Sequence, residues 1–186
     1  LGYFIDYSST KKNINAAPSI NADLTKPYIG SIINDNFKSH CLLAIISLVN
    51  LSIVEGQKIN NFYISIKNLI EIISLQNHWL SFFLKWLFTL LELIGYQIDY
   101  ENKNGYEYYN LTNKEFQIYK TNNSILFPHK FFQNSKNINI DDISSIFTIF
   151  EYIYVNNHLN NLSYKLPISF TNFKKLIIKT LRNSSK

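Results

Sequence analysis

Trp79-Leu80-Ser81-Phe82-Phe83-Leu84-Lys85-Trp86-Leu87-Phe88-Thr89-Leu90-Leu91-Glu92-Leu93-Ile94 is the stretch on which the fold turns. Its apolar residues nearly encircle a 3.6-residue period, as in a helix enclosed at the centre of a bundle. Gly95 stands where such a helix would stop. The run falls short of the ~20 apolar residues a membrane-crossing helix needs, and it carries Lys85 and Glu92. The other greasy run, Leu42 to Val54, is shorter still. Two buried core helices are expected, and no membrane span.

Upstream of this helix, Phe62, Ile66, Leu69, Ile70 and Ile73 recur at spacings of three and four, which predicts a helix over residues 60–75. A longer one is predicted from Asn34 or Asp35, either of which can cap orphan N–H groups, to Val54, with Gly56 at its stop. Residues 1–7 (LGYFIDY) read as one short strand, and 8–33, with Pro18 and Pro27 and no clear period, as a linker. Downstream the period changes. Tyr96, Ile98 and Tyr100 alternate, Asn104-Gly105 signals a tight turn, and Tyr106 to Leu111 and Phe116 to Tyr119 read as extended. A β insertion of three short strands is therefore expected at about 96–120. Pro128 opens a short helical segment, and Asp141 and Asp142 favour the N-terminus of a helix that runs to Val155. Leu166-Pro167 leads into a last helix, 169–183. The expected fold class is mainly α: a helical bundle over 34–186 with a small β-hairpin or three-strand insertion, preceded by a single strand.

Composition bounds the function. Of 186 residues, 46% are hydrophobic and 16% aromatic, enough for a real core, so a disordered chain is excluded. The formal net charge is +5, and Arg182 is the only Arg among 18 basic residues. That balance suits nucleic acid or an acidic partner. The abundance of Asn, Ile, Lys, Tyr and Phe also reads as codon bias in an A/T-rich genome, which would raise the charge by itself. One Cys excludes an internal disulfide and a thiolate metal cage. The chain opens on Leu1 and contains no Met, from which a missing beginning is expected.

No catalytic constellation emerges, and no enzyme is expected. His40, His78, His129 and His158 are scattered, and the five glycines form no phosphate-cradling loop. Asp141 and Asp142 read as capping charge, not as a paired acid and base. No cofactor and no metal site are expected. Two features suit binding. Lys175, Lys179 and Arg182 stand at i, i+4 and i+7 on the last helix, with Lys174 nearby, and one basic stripe of this kind can lie along phosphates or an acidic peptide. The same pattern describes an ordinary solvated outer face. Phe82, Lys85 and Trp86 bring aromatics beside a cation, which suits an acidic peptide with an apolar end, or stacking on bases. Aromatics so spaced are also what a core helix carries. A basic terminal helix lying on a membrane surface is a further, third reading.

In order along the chain, several stretches resemble the bacterial recombination mediator family RecO, of the alphaproteobacterial kind. Leu1-Gly2-Tyr3-Phe4-Ile5-Asp6-Tyr7 is similar to the final strand of that family's OB-fold, and Phe37 to Val54 with Glu55 to its first long helix and the turn behind it. Leu84 to Tyr100 resembles its aromatic-rich helix, which ends in Leu-Leu-x-x-x-Gly-Phe-x-Leu-Asp-Leu. Tyr108-Tyr109-Asn110-Leu111 stands where the family has Tyr-Val-Ser-Pro, and Leu166-Pro167 resembles its closing element. There are departures. Glu101-Asn102-Lys103-Asn104-Gly105 offers none of the cysteines that form a zinc site in some members, so that site is not carried over. The Arg usual after the closing Leu-Pro is replaced by Phe170 and its neighbours, and Ile146 to Ile153 lacks a family Gly.

The resemblance implies a protein without turnover, in which residues 1–7 are all that remains of the OB-fold. It implies DNA repair by homologous recombination: binding and annealing of single- and double-stranded DNA, and a partnership with RecR. It also implies capture of the acidic, Phe-ending tail of the single-stranded-DNA-binding protein so that RecA can load, with a cytoplasmic, nucleoid-associated location. Lys85, Trp86 and Phe82 would then be candidates for the tail pocket, and Lys174, Lys175, Lys179 and Arg182 for DNA or an acidic partner. A helical scaffold or protein-interaction domain with no nucleic-acid role is the alternative.

Overall fold

The computed structural model describes residues 3–103, 105–134 and 138–184. Just over half of the chain is helical, and two small antiparallel sheets accompany the helices, so the fold is mainly α. The order is β1 (Phe4–Thr10), β2 (Ser19–Lys26), α1 (Ile29–Ile32), α2 (Asn36–Ser52), α3 (Phe62–Leu75), α4 (Trp79–Leu93), β3 (Tyr108–Asn110), β4 (Glu115–Gln117), β5 (Ser124–Leu126), α5 (His129–Gln133), α6 (Ile140–Ile153) and α7 (Ile168–Ser184).

Helix ends follow local chemistry. The Asp35 carboxylate accepts from the backbone N–H groups of Phe37 and Lys38 at 2.8 and 3.0 Å, which satisfies two of the orphan donors that open α2. Asn139 caps α6 through the N–H of Asp142 at 2.7 Å, and Asp141 and Asp142 occupy the first turn, where the helix dipole favours them. Gly95, with φ of 91°, turns the chain out of α4 through the left-handed region that a side chain would resist.

The core closes around α4, of which Trp79, Phe83, Leu84, Trp86, Leu87, Phe88, Leu90 and Leu91 are buried. Each such side chain contributes roughly 1.5–3 kcal/mol by leaving water. α4 packs on α3 and α6, and α7 closes the bundle against α2 and α6. Phe173 of α7 meets Phe83 edge-on at 5.0 Å and Trp79 at 6.2 Å, and Phe170 meets Phe147 and Phe150 of α6. A second aromatic cluster, Phe88, Tyr100, Phe127 and Phe132, fastens α5 and the three-stranded sheet to the lower half of α4.

Two expectations are corrected. The linker over 8–33 is structured: β1 continues to Thr10 and pairs with β2, and α1 follows. Beyond Phe4, the described residues of both strands are exposed on both faces of the hairpin, so no burial alternation betrays it. Leu1 and Gly2, expected in the first strand, lie outside the described residues. Tyr96 to Tyr100, expected as a strand, is not paired, and the third strand of the insertion is β5, which puts the insertion at 108–126 with β3 in the middle. Of the Asn104-Gly105 turn, Asn104 lies outside the described residues, and Gly105 has φ of 96°. α6 ends at Ile153, close to the expected Val155, but the chain does not leave the helix there. It widens into a π-helical turn over Tyr154–Leu159 and a 3-10 turn over Asn160–Leu162. The wider turn keeps Tyr154 and Leu159 fully buried, while the His158 Nε2 sits 2.8 Å from the Leu51 carbonyl oxygen.

Candidate polyanion-binding face

The position of each cation on α7 is set by the apolar side of the helix. Phe170, Phe173 and Ile177 are buried, at the spacings of three and four that place them on one side. Pro167 opens the helix, and its carbonyl accepts from both the N–H and the hydroxyl of Thr171. The Ser169 hydroxyl donates to Ser47 of α2 at 2.7 Å, which fixes the rotation of α7 on its neighbour. Lys175, Lys179 and Arg182 therefore project outward and are exposed. Among the described residues these three have no carboxylate within ion-pair distance. With Lys174, Ile178 and Asn183 they line an open groove of about 380 Å³.

Lys174 belongs to the structure more than to the face. Its ammonium lies 2.6 Å from Glu151 Oε2 on α6 and 5.9 Å from the Phe147 ring, and only about a quarter of each charged side chain is exposed. It clamps α7 to α6 and leaves three cations for a ligand. Arg182 stands seven positions after Lys175, roughly 10 Å of helix at 1.5 Å per residue. Duplex DNA presents about six charges over that length, so the row matches a short run of phosphates.

The second candidate cluster is taken apart by packing. Trp86 is 5% exposed, and its indole N–H donates to the Ser65 hydroxyl of α3 at 3.0 Å. The Lys85 ammonium turns the other way, donating to the Phe132 carbonyl at 3.4 Å and lying 5.7 Å from the Phe131 ring of α5. Of the three, Phe82, at 39% exposure, is the most open to solvent, and Lys85 is partly buried. Packing thus gives the three residues different surroundings: Trp86 is core, Lys85 ties α5 to α4, and Phe82 faces outward.

Other reactive groups are engaged structurally. Cys41 is fully buried, which pushes its thiol well above the ordinary range. His40 Nδ1 lies 2.7 Å from the Asn36 carbonyl and His129 Nε2 2.7 Å from that of Tyr106. Among the described residues, no three His, Cys, Asp or Glu side chains group as a metal site, and no helix is long and apolar enough to cross a membrane.

One feature had no sequence signal. A cavity of about 680 Å³ opens between the segment after α4 and strand β4, with Tyr109, Ile153 and Asn157 among its walls. Its shape depends on the π-helical turn, which brings the Asn157 carbonyl to the Tyr96 hydroxyl at 2.9 Å and the Asn157 side-chain oxygen to the Lys114 ammonium at 2.9 Å. Nothing local in Tyr154 to Leu159 distinguishes a π turn from ordinary helix.

The fold and its exposed row define a mainly helical protein with a cationic outer face. Comparison with protein-family models gives no match, and comparisons with curated proteins and with solved structures give none either.

Proposed function

We propose that this chain is a non-enzymatic DNA-binding protein of recombination and repair, a mediator of the RecO kind that holds single- and double-stranded DNA by its phosphates. The observation that carries the reading is the exposed row Lys175, Lys179 and Arg182 on α7, aligned along a groove and without a carboxylate partner among the described residues. Three further features support it. The order of elements, with an aromatic helix, a small β insertion and a closing Leu-Pro helix, is the order the resemblance implies. Ile5, Tyr7, Ile20 and Leu24 are exposed on one face of the β1–β2 hairpin, as suits strands drawn from a larger β domain. Lys85 is occupied by α5, so an acidic protein tail would find its cations on α7 and compete with DNA there.

The test is fluorescence anisotropy of a labelled single-stranded oligonucleotide at rising salt. Three neutralised phosphates give a log–log slope of about −2, a loss of roughly twentyfold in affinity between 50 and 200 mM salt. Lys175→Gln with Lys179→Gln would reduce the slope by about 1.4. Binding that ignores salt, or that survives the double substitution, would sink the proposal. It would favour the other reading, a helical protein-interaction domain acting through the apolar face of the hairpin.

A further inference from the structure

Residues Tyr96 to Tyr100 form an unpaired segment that belongs to neither sheet. Burial alternates along them, with Ile98 at 8% exposure between exposed Gln97 and Asp99 and half-buried Tyr96 and Tyr100, the period of extended backbone. Tyr100 is anchored in the aromatic cluster 4.5 Å from Phe132, and Tyr96 is pinned by Asn157. Between those anchors, the N–H and C=O groups of Gln97, Ile98 and Asp99 make no hydrogen bond among the described residues. On one side this segment faces β4 across the 680 Å³ cavity, and on the other it borders a second cavity of about 330 Å³. β4 is itself an edge strand, paired among the described residues only with β3. Two backbone edges without a protein partner among the described residues thus line one trough.

We propose that this trough is a docking site for an extended, uncharged peptide segment of a partner protein, which pairs by its main chain with the Gln97–Asp99 edge. Strands lie about 4.8 Å apart in a sheet and sheets about 10 Å apart, so 680 Å³ holds roughly 14 Å of strand, or about four residues. The lining carries Lys103 and Lys114 against Asp99 and Glu115. A charged segment would therefore meet as much repulsion as attraction, and main-chain pairing sets the affinity. Ile98, Phe116 and Ile153 offer an apolar seat for one side chain. The Tyr109 phenol, 3% exposed and with no hydrogen bond among the described residues, is left to donate to a peptide carbonyl. Burial pushes its pKa up to about 12, so it keeps that proton. The inference is independent of the α7 face.

The experiment is a backbone-amide NMR titration of the full chain with a panel of capped hexapeptides in which Thr alternates with Val, Leu, Ile, Phe or Tyr. The expected result is that at least one member, near millimolar concentration, moves the amides of Gln97 to Tyr100 and of β4. Methylating alternate peptide nitrogens should abolish the shifts. Tyr109→Phe, which keeps the ring in the core, should weaken binding about fivefold, the worth of one hydrogen bond. Three results would overturn the proposal: no member moving these amides, N-methylated peptides binding equally well, or shifts concentrated on the β1–β2 hairpin. A charged panel that binds more tightly than the neutral one would overturn the assignment of the occupant.

Discussion

The hydroxyl of Tyr154 makes a prediction that can be worked through from the geometry. The side chain is fully buried at the start of the π-helical turn, stacked 5.2 Å from Phe150. Its hydroxyl donates to the Leu48 carbonyl at 3.1 Å and lies 2.9 Å from the Ser52 hydroxyl, which has its own bond to Leu48 at 2.7 Å. Tyr154→Phe keeps the ring and leaves Ser52 bonded, so no buried group is orphaned, and the cost near neutral pH is about 1 kcal/mol. The pH dependence runs the other way. Burial raises the Tyr154 pKa from 10.0 to about 12, against a smaller lowering by the Ser52 hydrogen bond. Between those values the unfolded chain has released this proton and the folded chain has not. The stability this group contributes is complete below pH 10 and declines as pH climbs toward 12, by roughly 2–3 kcal/mol in all. The Phe variant lacks that decline. Urea unfolding by circular dichroism should therefore show the wild type more stable at pH 7 and the variant level with it or ahead near about pH 11. All other titrating groups cancel in the difference. Stability curves that stay parallel from pH 7 to 11 would refute the account of this buried hydroxyl.

Three further outcomes are expected. Lys174→Met should cost about 1 kcal/mol of stability, since the pair with Glu151 is only partly buried, and should leave the salt slope of DNA binding unchanged; a slope reduced as much as by Lys175→Gln would show that Lys174 contacts phosphate. Asp35→Ala should cost about 1 kcal/mol through the two lost cap bonds of α2, read from the urea midpoint, with Asp35→Asn largely restoring it. Phe83→Ala should cost about 3–5 kcal/mol, because the ring is fully buried between Trp86 and Phe173 and α4 cannot collapse into the gap; a thermal midpoint within a few degrees of wild type would contradict a central α4.

Helices were legible here because their signal is local. The three- and four-residue spacing in α3, the all-round apolar character of α4, the Asp35 cap of α2 and the acidic first turn of α6 each lie within a few residues of the element they define. Strands were harder, since pairing is settled by a partner elsewhere in the chain. Tyr96, Ile98 and Tyr100 alternate as a strand should, yet those rings are held by Asn157 and Phe132 and the backbone finds no neighbour. Ser124 to Leu126 shows no alternation over three residues, yet pairs with β3. The candidate residues divide the same way. The outward row on α7 could be read from spacing alone. The fate of Lys85 and Trp86 could not, because it depends on α3 and α5 arriving on opposite flanks of α4.

The division between core and face also bears on what kind of recognition this protein can perform. Its phenylalanines are largely committed to the core: Phe83, Phe131, Phe147, Phe150, Phe170 and Phe173 are all fully buried, and the exposed rings are mostly tyrosines away from α7, such as Tyr7, Tyr63 and Tyr119. The α7 face is two lysines and one arginine. Lysine is a point charge on a flexible stem and does not fix the planar, two-bond geometry by which arginine reads guanine or grips a phosphate. Under the proposed DNA-binding role, a face so composed would sense charge density along a backbone and not the order of bases, and would bind steeply in salt and weakly in sequence. That profile would suit a protein that engages DNA wherever it is exposed, and it would leave selectivity among partners to the proposed trough between Tyr96–Tyr100 and β4, whose two lysines are balanced by two carboxylates and where main-chain pairing and one apolar seat could discriminate shape.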